Sequence, residues 1–107
     1  MTPHTAKFEF REPSLNSVAA GLELAQRVLE HVRAGQPTVI DFAHVDRMTP
    51  SYANALVMTL LEAVGPQVLP MQVALENVSP AVLASWASAV ARYERGVRLS
   101  TQRSNAA

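Results

Sequence analysis

The chain has 107 residues, which is enough for one domain with one modest core and too short for two independently stable domains. Hydrophobic residues make up 49% of it and charged residues 17%, a balance typical of globular proteins rather than disordered chains. Nine basic and nine acidic side chains cancel, so no overall positive field would attract a nucleic acid or an anionic membrane surface. We therefore expect neither as a partner.

The sequence contains no cysteine, which removes disulfides, thiolate nucleophiles and cysteine-based zinc sites. The first residues show no apolar stretch before a cleavage site, and no later apolar run reaches the length that crosses a bilayer. These features favour a cytoplasmic location over secretion or membrane insertion.

The first third of the chain predicts a strand followed by a helix. Residues 8–10 alternate in polarity as a half-buried strand does, and Pro13 then limits this strand to a sheet edge. Apolar residues next recur at three- and four-residue steps, which predicts an amphipathic helix that begins at Ser14 or Ser17 and runs to Ala34. The glycine that follows ends this helix.

The middle of the chain predicts the centre of the sheet and a covered helix. Residues 39–43 form a nearly continuous apolar run, as expected for an interior strand. The next helix should begin at Pro50, because Thr49 is a good N-cap and proline is preorganised for the first helical position. It should run to about Val64, and its wide apolar surface predicts that it is largely covered.

The last third predicts another strand and another helix. A strand is expected over residues 68–75, with regular pairing from Met71 because a proline interrupts the run. Ser79 and Pro80 repeat the cap-plus-proline start and open a helix that should end at Gly96.

The end of the chain predicts little further structure. Residues 97–99 could add a short strand, and residues 101–107 are small and polar, which predicts a flexible tail after a domain of residues 1–100. The alternation of strands and helices predicts an α/β fold with βαβ crossovers, a small mostly parallel β-sheet and about three helices.

Functional groups in an open α/β sheet gather where the carboxyl ends of strands meet the amino ends of helices. Ser51 falls in such a place, at the second helical position, where an anion is favoured by ~0.3–1 kcal/mol. A phosphate on its hydroxyl would add about −1.5 to −2 charges and change the surface that a partner meets. The alternative is that Thr49, Pro50 and Ser51 merely start a helix.

Two segments around this helix start carry a family resemblance. They are Asp41-Phe42-Ala43-His44-Val45 and, after six intervening positions, Tyr52-Ala53-Asn54-Ala55-Leu56. This pattern resembles the STAS-like family of uncharacterised bacterial and phage domains, in which a strand ends Asp-Phe and Ser-Phe-Ala opens the next helix. It is more remotely similar to STAS domains of the anti-sigma-factor antagonist type.

The resemblance implies a STAS-like α/β domain that takes part in regulation. It also implies a partner protein, a histidine-kinase-type ATPase or kinase, and it places the phospho-acceptor of the antagonists on Ser51. The antagonist pattern has an aspartate two places before the acceptor and a glycine after it. This chain has Thr49 and Tyr52 at those two positions.

The predicted partner-binding surface surrounds the same helix start. It comprises His44, Asp46, Arg47, Thr49, Pro50, Ser51, Tyr52 and Asn54. Asp41, near the end of the central strand, is expected to accept hydrogen bonds from backbone amides of the next loop and to support the turn at residues 48–50. The alternative role for Asp41 is that of a catalytic base.

An enzyme is the main alternative to a binding module. Ser51, His44 and Asp46 could serve a hydrolase as nucleophile, base and orienting group. All three lie on one short loop, and no Gly-x-Ser-x-Gly elbow is present, so we favour a non-catalytic protein. A self-associating scaffold, with the chain as a homodimer, is a further alternative.

Metal and cofactor sites find no support in the sequence. The spacings of His4, His31 and His44 match no ligand pattern. The four glycines all lie within or after predicted helices, so no glycine-rich loop is present to hold a phosphate. The sequence therefore predicts a non-catalytic regulatory protein–protein interaction module without metal or cofactor.

Overall fold

The computed structural model describes the backbone of residues 5–105 and the side chains of residues 5–97. The elements within this part are β1 (Ala6–Phe8), β2 (Ser14–Leu15), α1 (Val18–Arg33), β3 (Thr38–Asp41), β4 (Arg47–Met48), α2 (Pro50–Val64), α3 (Leu69–Gln72), β5 (Val73–Glu76) and α4 (Pro80–Asn105). Three strands form a parallel sheet in the order β1-β3-β5, and β2 pairs with β4 in a separate parallel ladder. The predicted α/β class with a small, mostly parallel sheet is confirmed.

β3 is the central strand of the sheet, as predicted. Ile40, which is fully buried, lies opposite Phe8 of β1 and Leu75 of β5. β1 is an edge strand, also as predicted, but it covers residues 6–8 rather than 8–10. Phe10, which suggested a strand that extends to residue 10, lies outside the ladder. Its ring stacks on Phe42 at a centroid distance of 5.3 Å.

α2 is the central helix and packs against both α1 and α4. Its predicted bounds and its burial are confirmed. The close approach of α1 depends on Gly21, where a Cβ atom would lie 2.9 Å from the backbone oxygen of Tyr52 and 3.1 Å from the Cβ of Ala55. Such distances are too short for a side chain, so glycine is what lets the two helices meet here.

The start of the third strand was predicted wrongly. Pairing was expected from Met71, but the short helix α3 covers residues 69–72 and the strand begins at Val73. Pro70 explains the difference, because its fixed φ and missing donor suit the first turn of a helix as well as they disrupt a strand.

The end of the last helix was also predicted wrongly. Neither a stop at Gly96 nor a strand over residues 97–99 is present, because α4 continues to Asn105. An isolated glycine costs a helix only about 1 kcal/mol relative to alanine, and no proline follows to enforce the stop. The flexible tail over residues 101–107 stays a prediction: residues 101–105 have helical backbone, and residues 106–107 lie outside the described part of the chain.

Within residues 5–105, each helix is either too short or too polar to cross a membrane.

Candidate functional site

The start of α2 is built by local rules. Thr49 is the N-cap, with φ −70° and ψ 155°, and its Oγ1 accepts a hydrogen bond from the amide of Tyr52 over 3.3 Å. Pro50 takes the first helical position and has no amide donor. The amide of Ala53 donates to the carbonyl of Thr49 over 3.0 Å. The exposed Ser51 therefore occupies the second helical position, as predicted from the sequence.

The connection that leads into this helix is held by the segment around β2. The amides of Asp46 and Arg47 both donate to the carbonyl of Pro13, over 2.7 Å and 3.1 Å. One step further along, the amide of Thr49 donates to the carbonyl of Leu15 over 2.9 Å. These bonds fix the backbone on both sides of β4, so the side chains exposed there have a defined placement.

α4 supports the same turn from the other side. The hydroxyl of Ser85 donates to the carbonyl of Met48 over 2.7 Å. Beside this bond lies a groove of about 150 Å³ between the start of α2 and α4. Its lining residues are Pro50, Asn54, Ala84, Ser85, Ser88 and Arg92.

No residue of α4 was among the predicted site residues. The signal was present, since Ser85, Ser88 and Arg92 follow one another at three- and four-residue steps and so share one face of the helix. Only the packing of α4 against α2 shows that this face borders the start of α2.

Most of the predicted partner-binding surface is accessible. Five of its residues are exposed, namely His44, Asp46, Arg47, Pro50 and Ser51. Thr49 and Asn54 are half-buried. The connection keeps its apolar side chains inside, because Val45 and Met48 both belong to the core.

Tyr52 was placed on this surface wrongly. Only 2% of it is exposed, because the third position of α2 faces the interior next to α1. Burial, together with the negative charge of Glu12, raises the pKa of the Tyr52 phenol to about 12. Tyr52 is thus a neutral, covered side chain and does not contribute to a docking surface.

Asp41 links the end of β3 to neighbouring segments. Its Oδ1 accepts hydrogen bonds from the amide of Ala43 over 2.9 Å and from Nδ2 of Asn77 over 3.0 Å. Its Oδ2 lies 3.4 Å from Nζ of Lys7. The hydrogen bond from Asn77, followed by that from Ala43, outweighs burial and lowers the pKa of the Asp41 carboxyl.

Asp41 therefore has a structural role, but not at the place expected. It was expected to support the turn at residues 48–50. Instead it fixes the first residues after β3 and ties them to the connection between β5 and α4. The catalytic-base alternative gains no support, because a lowered pKa makes the Asp41 carboxylate a weaker base.

The hydrolase alternative rests on His44, Asp46 and Ser51. No hydrogen bond joins His44, Asp46 and Ser51 in the part of the chain whose side chains are described.

His31 has a local role, since its Nδ1 lies 2.6 Å from Oε1 of Gln36. The described residues hold no group of three or more metal-ligating side chains, and His4 lies outside them.

Comparison with protein families decides the relationship. The sequence profile of a STAS-like domain of unknown function (DUF4325) matches residues 20–83. The chain belongs to this STAS-like family. The matched part of the STAS-like domain runs from α1 through β3, the start of α2 and β5 into the beginning of α4. No curated protein and no solved structure gives a match.

Proposed function

We propose that this STAS-like protein is a non-catalytic regulatory module that binds a partner protein through the start of α2. The surface we propose, called the docking surface below, consists of His44, Asp46, Arg47, Pro50, Ser51 and Asn54. The observation that carries the proposal is an exposed Ser51 at the start of a helix whose backbone is fixed from two sides.

Fixed backbone geometry favours binding because it lowers the ordering cost of association. The bonds to Pro13 and Leu15 hold one side of the docking surface, and the bond from Ser85 to Met48 holds the other. The polar side chains on this fixed backbone can therefore contact a partner with little loss of backbone entropy.

Phosphorylation of Ser51 is the switch that we attach to this proposal. In the first turn of α2, the proline has no donor and the amides of Tyr52 and Ala53 already have acceptors. The amide of Ser51 has no partner among the described residues, and it lies at the positive end of the helix dipole. A phosphate on Ser51 would be tolerated there while it changed the charge of the docking surface.

The resemblance to anti-sigma-factor antagonists suggests the class of partner. A histidine-kinase-type ATPase would bind the unmodified surface and phosphorylate Ser51. The position after the acceptor, glycine in the antagonists, is here the buried Tyr52. A partner that recognises this chain must therefore accept a side chain that packs inward at that position.

The test begins with a two-hybrid screen against proteins encoded near this gene, with ATPases of the histidine-kinase type included. Binding of each partner is then measured for the wild-type chain, for Ser51→Asp and for Gln26→Glu. Both variants add one negative charge at an exposed helical position, but Gln26 lies on α1, away from the docking surface. We expect only Ser51→Asp to weaken binding, by about tenfold or more. A repulsive like charge or a lost contact at the centre of an interface lowers the binding free energy by more than about 1 kcal/mol. Equal affinities for Ser51→Asp and the wild type would refute the proposed surface.

The alternatives have less support in the molecule. The apolar surface of α2, which suggested self-association, is covered within the chain by α1 and α4. The residues of the hydrolase alternative lack the hydrogen bonds that would align a nucleophile with a base. A serine-directed covalent probe that labelled Ser51 in the wild type but not in His44→Ala would restore the enzyme hypothesis.

A further inference from the structure

A larger cavity lies on the other side of α2, next to α1. It has a volume of about 420 Å³ and is bounded by β1, by residues 9–16 and by the first turns of α1. Its walls are partly apolar, with Phe8, Phe10, Leu15 and Leu24, and partly charged, with Lys7, Glu9, Glu12, Glu23 and Arg27. This volume falls in the range of small-molecule sites, and the carboxyl end of β1 is where such sites form in open α/β sheets.

Tyr52, an almost wholly buried residue, lines this cavity. The residue is only 2% exposed, and its hydroxyl makes no hydrogen bond with any described residue. This oxygen is not among the described side-chain atoms that are buried without a partner, so it keeps access to the cavity, where a polar group can reach it. The negative charge of Glu12, which also lines the cavity, acts on this hydroxyl. The phenol oxygen and the Glu12 carboxylate thus belong to residues that line one cavity, and neither makes a hydrogen bond or ion pair with a described residue.

The charges of the cavity do not cancel within the chain. Lys7 is engaged by Asp41, at 3.4 Å, and by Glu9, at 3.7 Å. The guanidinium of Arg27 lies 5.4 Å from the centre of the Phe8 ring, a cation–π contact.

Three carboxylates and two cations line the cavity, so one negative charge is in excess. Glu12 and Glu23 form no ion pair with the described residues, so the cavity presents negative charge to whatever enters it.

From this arrangement we propose that the cavity binds a small organic cation, a primary amine with an apolar body. The ammonium group donates one hydrogen bond to the carboxylate of Glu12 and a second to the phenol oxygen of Tyr52. The apolar body packs on Phe10 and Leu15. This site is separate from the docking surface and does not depend on the proposed function.

The start of α1 makes an anion the competing occupant. Ser17 caps that helix at the cavity wall, and a helix start favours negative charge. The cap hydroxyl already accepts from the amide of Ala20, and the two free carboxylates oppose an anion. The test therefore compares two probes of similar size and opposite charge.

The full-length chain, labelled with 15N, is titrated with phenethylamine and, in parallel, with phenylacetate. We expect saturable shift changes with phenethylamine at millimolar concentration, concentrated in residues 9–24, and none with phenylacetate. Glu12→Gln and Tyr52→Phe should each weaken amine binding, by about tenfold for the charged partner and a few-fold for the neutral one. Glu30→Gln, an exposed residue of α1 outside the cavity lining, serves as the matched control and should bind as the wild type does.

Three results would overturn the proposal. They are saturable binding of phenylacetate instead of the amine, amine binding that Glu12→Gln leaves unchanged, and no saturable binding of phenethylamine. Glu12 is exposed, so its variant tests the site even if Tyr52→Phe disturbs the packing of α2 against α1.

Discussion

Nδ2 of Asn77 donates a hydrogen bond to Oδ1 of Asp41 over 3.0 Å, although the two residues are 36 positions apart in the chain. The bond joins the end of β3 to the residue that follows β5. Asn77 has φ 55°, a left-handed conformation that asparagine tolerates better than most residues. The same carboxylate oxygen holds the amide of Ala43, so one side chain fixes the backbone where the chain leaves the sheet toward the docking surface.

The hydrogen bonds to the Asp41 carboxylate predict that the free energy of unfolding falls at low pH. The pKa of Asp41 is lowered from its ordinary value of 3.8, so its contribution to stability is fully present above about pH 4 and is lost as the pH falls through the folded-state value. Asp41→Asn and Asn77→Ala should both reduce the loss of stability below pH 4. Urea unfolding between neutral pH and about pH 2.5 measures it. An acid dependence that Asp41→Asn leaves unchanged would contradict this role.

The contact between α1 and α2 predicts opposite effects for two glycine substitutions. Gly21→Ala should destabilise the protein by about 1–3 kcal/mol, because the new methyl group meets the backbone of Tyr52 and the side chain of Ala55. Gly96→Ala is the control, since nothing lies within 4 Å of the added methyl and alanine favours the helix by about 0.5–1 kcal/mol. Thermal or urea unfolding of both variants measures these effects, and equal stabilities would argue against the close approach.

The hydrogen bond from Ser85 to Met48 predicts that loss of the Ser85 hydroxyl destabilises the protein more than loss of the Ser88 hydroxyl. Ser85→Ala should lower the free energy of unfolding by about 0.5–1.5 kcal/mol, because the half-buried carbonyl contact is lost. Ser88→Ala, one turn further along α4 and exposed, should lie within ±0.5 kcal/mol of the wild type. Urea unfolding compares the two, and similar losses would mean that Ser85 is not a specific support.

The burial of Tyr52 predicts a loss of stability at high pH. Its pKa rises from 10.0 to about 12 on folding. The protein should therefore keep this contribution below about pH 10 and lose it as the pH approaches 12, because the unfolded chain releases the proton first. Tyr52→Phe should remove that part of the alkaline dependence of urea unfolding. A variant with the wild-type slope between pH 10 and pH 12 would show that the phenol ionises normally.

Local rules were sufficient to predict α2 and the residue at which it starts. Thr49 and Pro50 determine the cap and the first turn by interactions within four residues, so the sequence specified where Ser51 lies. Gly96 shows where such rules fail, because a lone glycine can be carried inside a helix. The prediction at Pro70 was wrong because the fixed φ of proline fits both the first turn of a helix and the boundary of a strand.

The direction of Tyr52 and the part of α4 near the site could not be predicted in the same way. α2 is apolar around most of its circumference, so its periodicity does not say which side chain faces α1 and which faces solvent. The groove that includes Ser88 and Arg92 arises from the packing of two helices that are separated by α3 and β5. Contacts of this kind depend on tertiary structure, and the sequence pattern of either helix alone does not contain them.

The most direct test of the proposed docking surface is the ratio of partner dissociation constants between Ser51→Asp and Gln26→Glu. The partner is the protein identified in the screen of proteins encoded nearby, and both variants must show wild-type unfolding curves. We predict that Ser51→Asp binds about tenfold or more weakly than Gln26→Glu, which binds as the wild type does. Equal dissociation constants for the two variants would contradict it.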